Sequence, residues 1–476
     1  MTESASSNHC EQVRRRSRYE LATALDRIPF QRAHVLILVL VGSGTLLNAI
    51  EEYNVGFAAP LLARQWSLSD AQVGLLTTLT FAGMAIGSLI AGITGDRYGR
   101  RVTYIYNLAL YTAGAALAAF CPGFGWLLVA RFIVGIGLGG ELNTGLTLVA
   151  ELMPTKARGA AVATVNVAGG GLGIFASSAL AALMLGPLQA ALGGPTVAWR
   201  WLLGVLAIPA LLVFVYRWFL PESPRYLLVE GRIEEANNVL TRLAANRLRP
   251  VPGRPTTRYI GAAPNIRLPR QRVRLSEVFQ GRLARNTVVI WLVCAMTFGA
   301  QVTITVFMPT VLVSWGLDVS SSLTYTMIIN IGGLVGSLLA SAFGYWFKRR
   351  VVLCYGSVVA AVVAVALGSS SSLAMVLALG GLLQLMFILL NTTTLVWAPE
   401  LYPTRVRAFG TGASVSVLLL AASFVPLLAG TIVDIVGAAG MFLLVGSMYV
   451  IMAIAVRFGS ETQGVSLEEV SEERAG

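Results

Sequence analysis

Apolar runs of 18 or more residues recur along almost the whole chain, and nothing else in the sequence narrows its fold as much. A helix of about 20 residues crosses the roughly 30 Å hydrocarbon core of a bilayer. Cutting at charged or Pro/Gly-rich breaks gives twelve spans, at about 33–61, 71–95, 102–122, 126–152, 158–186, 199–219, 286–315, 322–347, 350–368, 373–398, 408–431 and 438–458. Only 12% of the 476 residues are charged, against roughly 25% in a soluble domain. The expected fold is an all-α membrane protein with twelve transmembrane helices.

The arginines predict how these spans are oriented. The chain has 33 Arg and two Lys, Lys156 and Lys348. Arg64 and Arg200 fall in the outer loops of a twelve-span layout and Arg131 falls inside a span; the other 32 cations lie on the face that carries both termini. Positive loops stay in the cytoplasm, so both termini are expected there, in a multi-pass protein of the cell's inner (plasma) membrane. The net charge of +12 is then an orientation and lipid-headgroup signal, and nucleic acid is not an expected partner. No signal peptide is evident, since the first 32 residues are polar and basic. Cys10, Cys121, Cys294 and Cys354 have neither metal-ligand nor disulfide spacing, and neither a cofactor nor a metal is expected.

The one long polar interruption, 220–285, carries 13 Arg between Arg225 and Arg285 and separates two six-helix halves, 33–219 and 286–458, with tails at 1–32 and 459–476. Helical spacing predicts a surface helix over Glu230–Ala245, and the Pro- and Arg-rich stretch 249–273 reads as loose. The halves repeat one another. Gly87-Ser-Leu-Ile-Ala with Arg100-Arg101-Val102 returns as Gly336-Ser-Leu-Leu-Ala with Arg349-Arg350-Val351, and Glu151-Leu-Met-Pro-Thr-Lys-Ala-Arg158 as Glu400-Leu-Tyr-Pro-Thr-Arg-Val-Arg407, both at an offset of 249. Pro60, expected to close the first span, has Pro309 at the same offset. A duplicated six-helix unit, its halves parallel about an axis normal to the membrane, is the layout of a major-facilitator transporter with a midplane site between them.

Gly92-x-x-x-Asp96-Arg97-x-Gly99-Arg100-Arg101 resembles the signature loop of the major facilitator superfamily. Asp96 can pair with cations or with a helix N-terminus of the other half, as a conformational latch. The second copy has Tyr345 at the corresponding place, so its latch is expected to be weaker. Pro221-Glu222-Ser-Pro-Arg225 after the sixth span and Ser460-Glu461-Thr-Gln-Gly464 after the twelfth resemble paired motifs of sugar porters and of their metabolite–proton symporter relatives. With Glu151, Arg158, Glu400 and Arg407 they supply ion pairs expected to hold the halves together in one state and to break in the other. A single exposed pair is worth only ~0–1 kcal/mol, so that role needs a network.

The first span contains Asn48-Ala-Ile-Glu51-Glu52-Tyr53 in an otherwise apolar segment. An intramembrane carboxylate costs several kcal/mol if charged and unpaired, which makes it a functional candidate by default. Adjacent helical positions point ~100° apart, so Glu51 and Glu52 cannot face a cavity equally. The resemblance to niacin-type and aromatic-acid symporters, which carry two aspartates three residues apart here, places Asn48 on the first and Glu51 on the second. The repeat instead sets Asn48 and Glu52 on polar Thr297 and Gln301 and Glu51 on Ala300. The choice stays open, slightly in favour of Glu51. Arg131, in Arg131-Phe-Ile-Val-Gly-Ile-Gly-Leu-Gly-Gly-Glu141, lies roughly 9 Å inside the membrane at 1.5 Å per residue, at a depth where it can meet the glutamates. Glu141, about 15 Å deeper, matches an acidic position of the metabolite-symporter pattern and is a further proton or substrate candidate, with a structural neutral carboxyl as the alternative.

His9 lies in the tail and His34 at the membrane edge, so proton work falls to carboxylates. Asn48, Asn143, Asn166, Gln301, Thr303, Thr305, Asn330, Gln384, Asn391 and Thr392 are polar residues within spans, each able to line a site or simply to bond between helices. The fifth span, Ala168-Gly-Gly-Gly-Leu-Gly173, lacks the Gly-Pro of the drug-antiporter motif. The resemblance implies a monomeric secondary transporter, not an enzyme, working by alternating access and coupling protons to uptake of a small organic solute such as nicotinate or a benzoate-like acid. A sugar or polyol, an organic cation and a transport-inactive sensor are the alternatives.

Overall fold

The computed structural model describes residues 17, 19–207, 215–216, 218–249, 256–261, 275–370, 372–403 and 406–461. A helix α1 (19–27) precedes α2 (Arg32–Trp66), α3 (Asp70–Tyr98), α4 (Arg100–Ala119), α5 (Phe124–Leu152), α6 (Thr155–Leu185) and α7 (Pro195–Gly204). Two linker helices follow, α8 (Pro224–Val229) and α9 (Ile233–Ala244). The second half comprises α10 (Gly281–Ser314), α11 (Val319–Trp346), α12 (Arg349–Gly368), α13 (Leu373–Glu400), α14 (Arg407–Val436) and α15 (Ala438–Val456). Helices dominate because a bilayer offers no water to backbone amides, so each span must bond within itself. Among the described residues, eleven helices are long and apolar enough to cross a membrane. The sixth span is described through α7 and the 3-10 turn Val205–Ala207, while 208–214 lie outside the described residues.

The internal duplication extends to the helix ends. Adding 249 to the bounds of α2, α3, α4 and α5 gives those of α10, α11, α12 and α13 to within one residue. Both proline-marked ends need correction. Pro60 and Pro309 do not close their spans but lie inside α2 and α10, which run on to Trp66 and Ser314. Proline removes one intrahelical bond, a loss that neighbouring helices make tolerable in a membrane bundle.

In the linker, α9 buries Ala236, Val239, Leu240 and Leu243. It is tied to the start of α2, where Ala33 N–H donates to Asn246 Oδ1 at 2.8 Å and Gln31 donates to the Leu243 carbonyl. Part of the stretch expected to be loose is also held, because Asn237 Oδ1 accepts the amides of Tyr259 and Ile260, both at 2.9 Å. Residues 250–255 and 262–274 lie outside the described residues. The face bearing the linker and the α3–α4 turn is called the terminal face below, and the opposite one the far face. The halves meet where α3 packs on α14, α6 on α11 and α2 on α10.

Candidate functional site

The glutamate that meets Arg131 is Glu51. Both side chains are fully buried, and Arg131 Nη1 lies 2.5 Å from Glu51 Oε1. The guanidinium is held on two further sides: Nη2 donates to the Glu51 carbonyl at 3.0 Å and Nε to Thr80 Oγ1 at 3.3 Å. Three helices of the first half, α2, α3 and α5, therefore fix one ion pair. Glu51 Oε2 is buried without a hydrogen-bond partner among the described residues, which leaves one carboxylate oxygen uncommitted. Phe81, next to Thr80, stacks edge-on against Phe298 of α10, with ring centroids 5.9 Å apart, and brings the second half against the same region.

Glu52, one residue on, turns to a different neighbour. It lies against Tyr53, which also touches Gln301 of α10, so this carboxylate faces the seam between the halves. Glu141 sits apart from both. Asn48 Nδ2 donates to Glu141 Oε2 and to the Leu138 carbonyl, each at 2.9 Å. Tyr104 stands beside the same carboxylate. A side chain at Gly44 would collide with the Tyr104 hydroxyl and Glu141 Oε1, so glycine is what lets this cluster form. Tyr216 joins it, donating to the Leu40 carbonyl at 2.8 Å and lying 3.0 Å from Ser43 Oγ. Asn48 is thus spent on Glu141, and Glu141 has no ion pair among the described residues.

The second half contributes amides. Asn391 Nδ2 donates to Gln301 Oε1 at 3.0 Å, linking α13 to α10. Asn330 and Gln384 are buried, and their Nδ2 and Nε2 have no hydrogen-bond partner among the described residues; the same holds for Asn391 Oδ1 and Thr305 Oγ1. Gln384 packs on Gly333, one turn from Asn330. Asn143 is engaged elsewhere, donating to the Ser88 carbonyl of α3 at 2.9 Å, and Thr303 bonds back to Gly299 in its own helix. Asn166 and Thr392 are half-buried.

The proposed latch residues gather in one cluster per half. Gly99, with φ +105°, turns α3 into α4. Arg100 pairs with Asp96 at 2.5 Å and with Glu151 at 3.7 Å. Glu222 Oε1 accepts the backbone amides of Arg100 at 2.9 Å and Arg101 at 3.1 Å, finishing the start of α4. Burial pushes the Glu222 carboxyl above its ordinary range, against these hydrogen bonds, which pull it down. Ser223 donates to Glu151, and Tyr226 to the Arg97 carbonyl. Arg158 stands among Arg225, Asp26 and Glu151. Gly92 has Asn143 as its neighbour. In the second half Arg349 pairs with Glu400 at 3.4 Å, the duplicate of Arg100–Glu151. Glu461 accepts the Arg350 amide at 3.3 Å, and Arg407 donates to the Tyr402 carbonyl at 3.1 Å. The side chain of Tyr345 lies outside the described residues. These pairs sit within a half rather than across the halves.

Sequence reasoning missed the contacts on the far face. Thr78 Oγ1 donates to the Ser423 carbonyl at 2.5 Å and Ser423 Oγ returns to the Thr78 carbonyl at 3.0 Å. Asp434 accepts two amides of α3. None of these residues carries a motif; the one available signal was small residues at four-residue intervals on both helices.

Comparison with known proteins agrees with this architecture. Residues 6–473 match the model of the "Sugar (and other) transporter" family. The chain is 28% identical over 456 residues to the niacin transporter NiaP of Acinetobacter baylyi, covering 95% of this chain and 99% of that one. It is 30% identical over 483 residues to the inner membrane metabolite transport protein YdjE of Escherichia coli, covering 95% and 98%. Among solved structures, the partially occluded inward-open xylose transporter XylE of E. coli superposes with a TM-score of 0.70 at 20% identity, over 91% of this chain and 99% of that one. The chain belongs to the sugar (and other) transporter family and is a multi-pass secondary transporter of the major facilitator fold, moving a small molecule.

Proposed function

We propose that the protein takes up a small organic acid, of the nicotinate or benzoate kind, together with protons, and that Glu51 and Arg131 couple the two. The observation that carries this reading is the fully buried Arg131–Glu51 contact at 2.5 Å with one glutamate oxygen uncommitted. A proton on Glu51 removes the anion that compensates Arg131, and breaking a buried pair costs about 3–5 kcal/mol. A monocarboxylate solute supplies the missing anion. Proton and solute then load together because either alone leaves a buried charge unmatched. The 28% identity to a niacin transporter supports the solute class. Glu52, at the seam with Gln301, is the second proton candidate. Glu141, surrounded by neutral donors, is the third.

In this reading the terminal face is cytoplasmic, as the arginine distribution argues, and the latch clusters of each half pair across the cleft only when it closes on that side. The amides Gln301, Asn330, Gln384 and Asn391 contact the solute's polar atoms. Those same amides favour a second reading, a neutral polyol or sugar. Uptake of labelled nicotinate, benzoate and xylose into proteoliposomes, with and without a pH gradient, separates the two. Accumulation of an acid driven by an inward proton gradient, and lost in Glu51→Gln, is the expected result; gradient-independent movement of xylose alone would overturn it.

A further inference from the structure

The far face contains a helix start that one half of the protein does not finish by itself. In α3, the Gln72 amide donates to Ser69 Oγ at 3.3 Å and the Val73 amide to the Ser69 carbonyl at 3.1 Å. The two amides before them, of Asp70 and Ala71, donate instead to the two carboxylate oxygens of Asp434, each at 3.0 Å. Asp434 belongs to α14, in the other half. The duplication provides an internal comparison. α11, which matches α3 at the 249 offset, starts on its own Asp318, whose Oδ2 accepts the Ser321 amide at 3.1 Å and whose carbonyl accepts the Ser322 amide at 2.9 Å. The residue 249 before Asp434 is Leu185, which has no acceptor to offer. Only one of the two equivalent seams is capped across the halves.

Below this cap the two helices interlock at helical intervals. Gly430 lies against the backbone of Asp70 and Ala71, where a Cβ would collide. A Cβ on Gly74 would stand 2.6 Å from the Pro426 carbonyl oxygen. One turn further in come the reciprocal bonds of Thr78 and Ser423. Positions 70, 74 and 78 of α3 thus form one stripe that meets 434, 430, 426 and 423 of α14.

We infer that Asp434 is the positioning residue of the far gate, completing the start of α3 only when the two halves are closed on that side. Opening toward the far face takes Asp434 away and leaves two amides of a helix start to water. The carboxylate acts through charge as well as through hydrogen bonds, because a helix N-terminus attracts an anion; the nearby Asp70 carboxylate opposes it in part. Closure is therefore graded by what stands at 434. The inference rests on the two-state cycle of the fold and not on which solute or ion is carried.

The test is a distance measurement on full-length protein in nanodiscs, with spin labels at Val197→Cys and Leu373→Cys, at or near far-face helix starts and away from the seam. The parent is expected to give predominantly the short distance. Asp434→Ala should lower the ratio of short to long distance about tenfold, from losing two N–H···O⁻ bonds at a helix start. Asp434→Asn, which keeps one acceptor, should fall between, and Asp318→Ala should leave the distribution unchanged. Gly74→Val should add the long distance by obstruction alone. Parent-like distances in Asp434→Ala, or an equal shift in Asp318→Ala, overturn the inference. Loss of proton-driven uptake with normal distances would bear on the proposed coupling and not on the gate.

Discussion

If Glu51 and Arg131 compensate one another, removing both must be less harmful than removing either. The pair is fully buried, at 2.5 Å, with the guanidinium committed to Glu51 through two contacts and to Thr80 through one. Breaking a buried pair from one side costs about 3–5 kcal/mol. Glu51→Gln is expected to approach this value, because arginine cannot shed its charge. Arg131→Gln should cost less, because the stranded carboxylate can be neutralised by a proton, and its deficit should shrink on acidification. In Glu51→Gln/Arg131→Gln most of the loss should return, giving a coupling energy of ~2–4 kcal/mol, while gradient-driven uptake stays abolished. Thermal unfolding of the four proteins in one detergent, read at pH 5.5 and 7.5 alongside proteoliposome uptake, completes the cycle. Strict additivity of the two single substitutions would refute electrostatic compensation, and restored uptake in the double variant would refute the role in coupling.

Gly44→Ala places a methyl group among the Tyr104 and Glu141 oxygens; overpacking of this kind costs ~1–3 kcal/mol, so a lower unfolding temperature is expected, and an unchanged one would mean the cluster is looser than described. Asp26 Oδ1 accepts the Thr155 amide at 2.7 Å at the start of α6, and this bond holds its carboxyl below the ordinary range. Its stabilising effect is therefore present above the usual aspartate range and lost as pH falls through the lowered value, so hydrogen exchange at Thr155 should speed up in acid, and at all pH values in Asp26→Ala. Arg349→Gln should loosen the end of α13 as Arg100→Gln loosens that of α5, each by ~0–1 kcal/mol given their partial exposure. Exchange rates at Glu400 and Glu151 compare the two.

The sequence discloses the spans, the duplication and the meeting of Arg131 with a first-span glutamate, because each depends on spacing along the chain. It left Glu51 and Glu52 undecided for a physical reason. α2 is buried on nearly every side through its middle, from Asn48 to Leu62, so no polar face fixes its rotation. The partner of Glu52 is settled by how α10 docks, which no local pattern encodes. The prolines misled because their cost in water is high and in a packed bundle is modest. Tyr104, Tyr216 and Gly44 were overlooked because each alone is an ordinary apolar or small residue of a span, and only their convergence makes a polar cluster. The far-face contacts are backbone contacts, and backbone is the same in every sequence.

One irregularity in α6 bears on how freely this transporter can vary. Between Ala168 and Gly173 the helix widens to a π-helical turn within the Gly-rich run, then resumes α geometry from Ile174 to Leu185. Such a turn holds one residue more than the regular winding, so everything beyond it is rotated by about 100° relative to an uninterrupted helix. That rotation is what aims Ser177 at Asn54 Oδ1 and the Ile50 carbonyl, 2.9 and 3.0 Å away, and seats Gly171 against Ser337 of the other half. Deleting a single glycine here would shorten the chain by one residue yet turn half a helix to a new heading, exchanging its α2 contacts for lipid. Point replacement and deletion at the same glycine are therefore different experiments: one perturbs a surface, the other resets an angle.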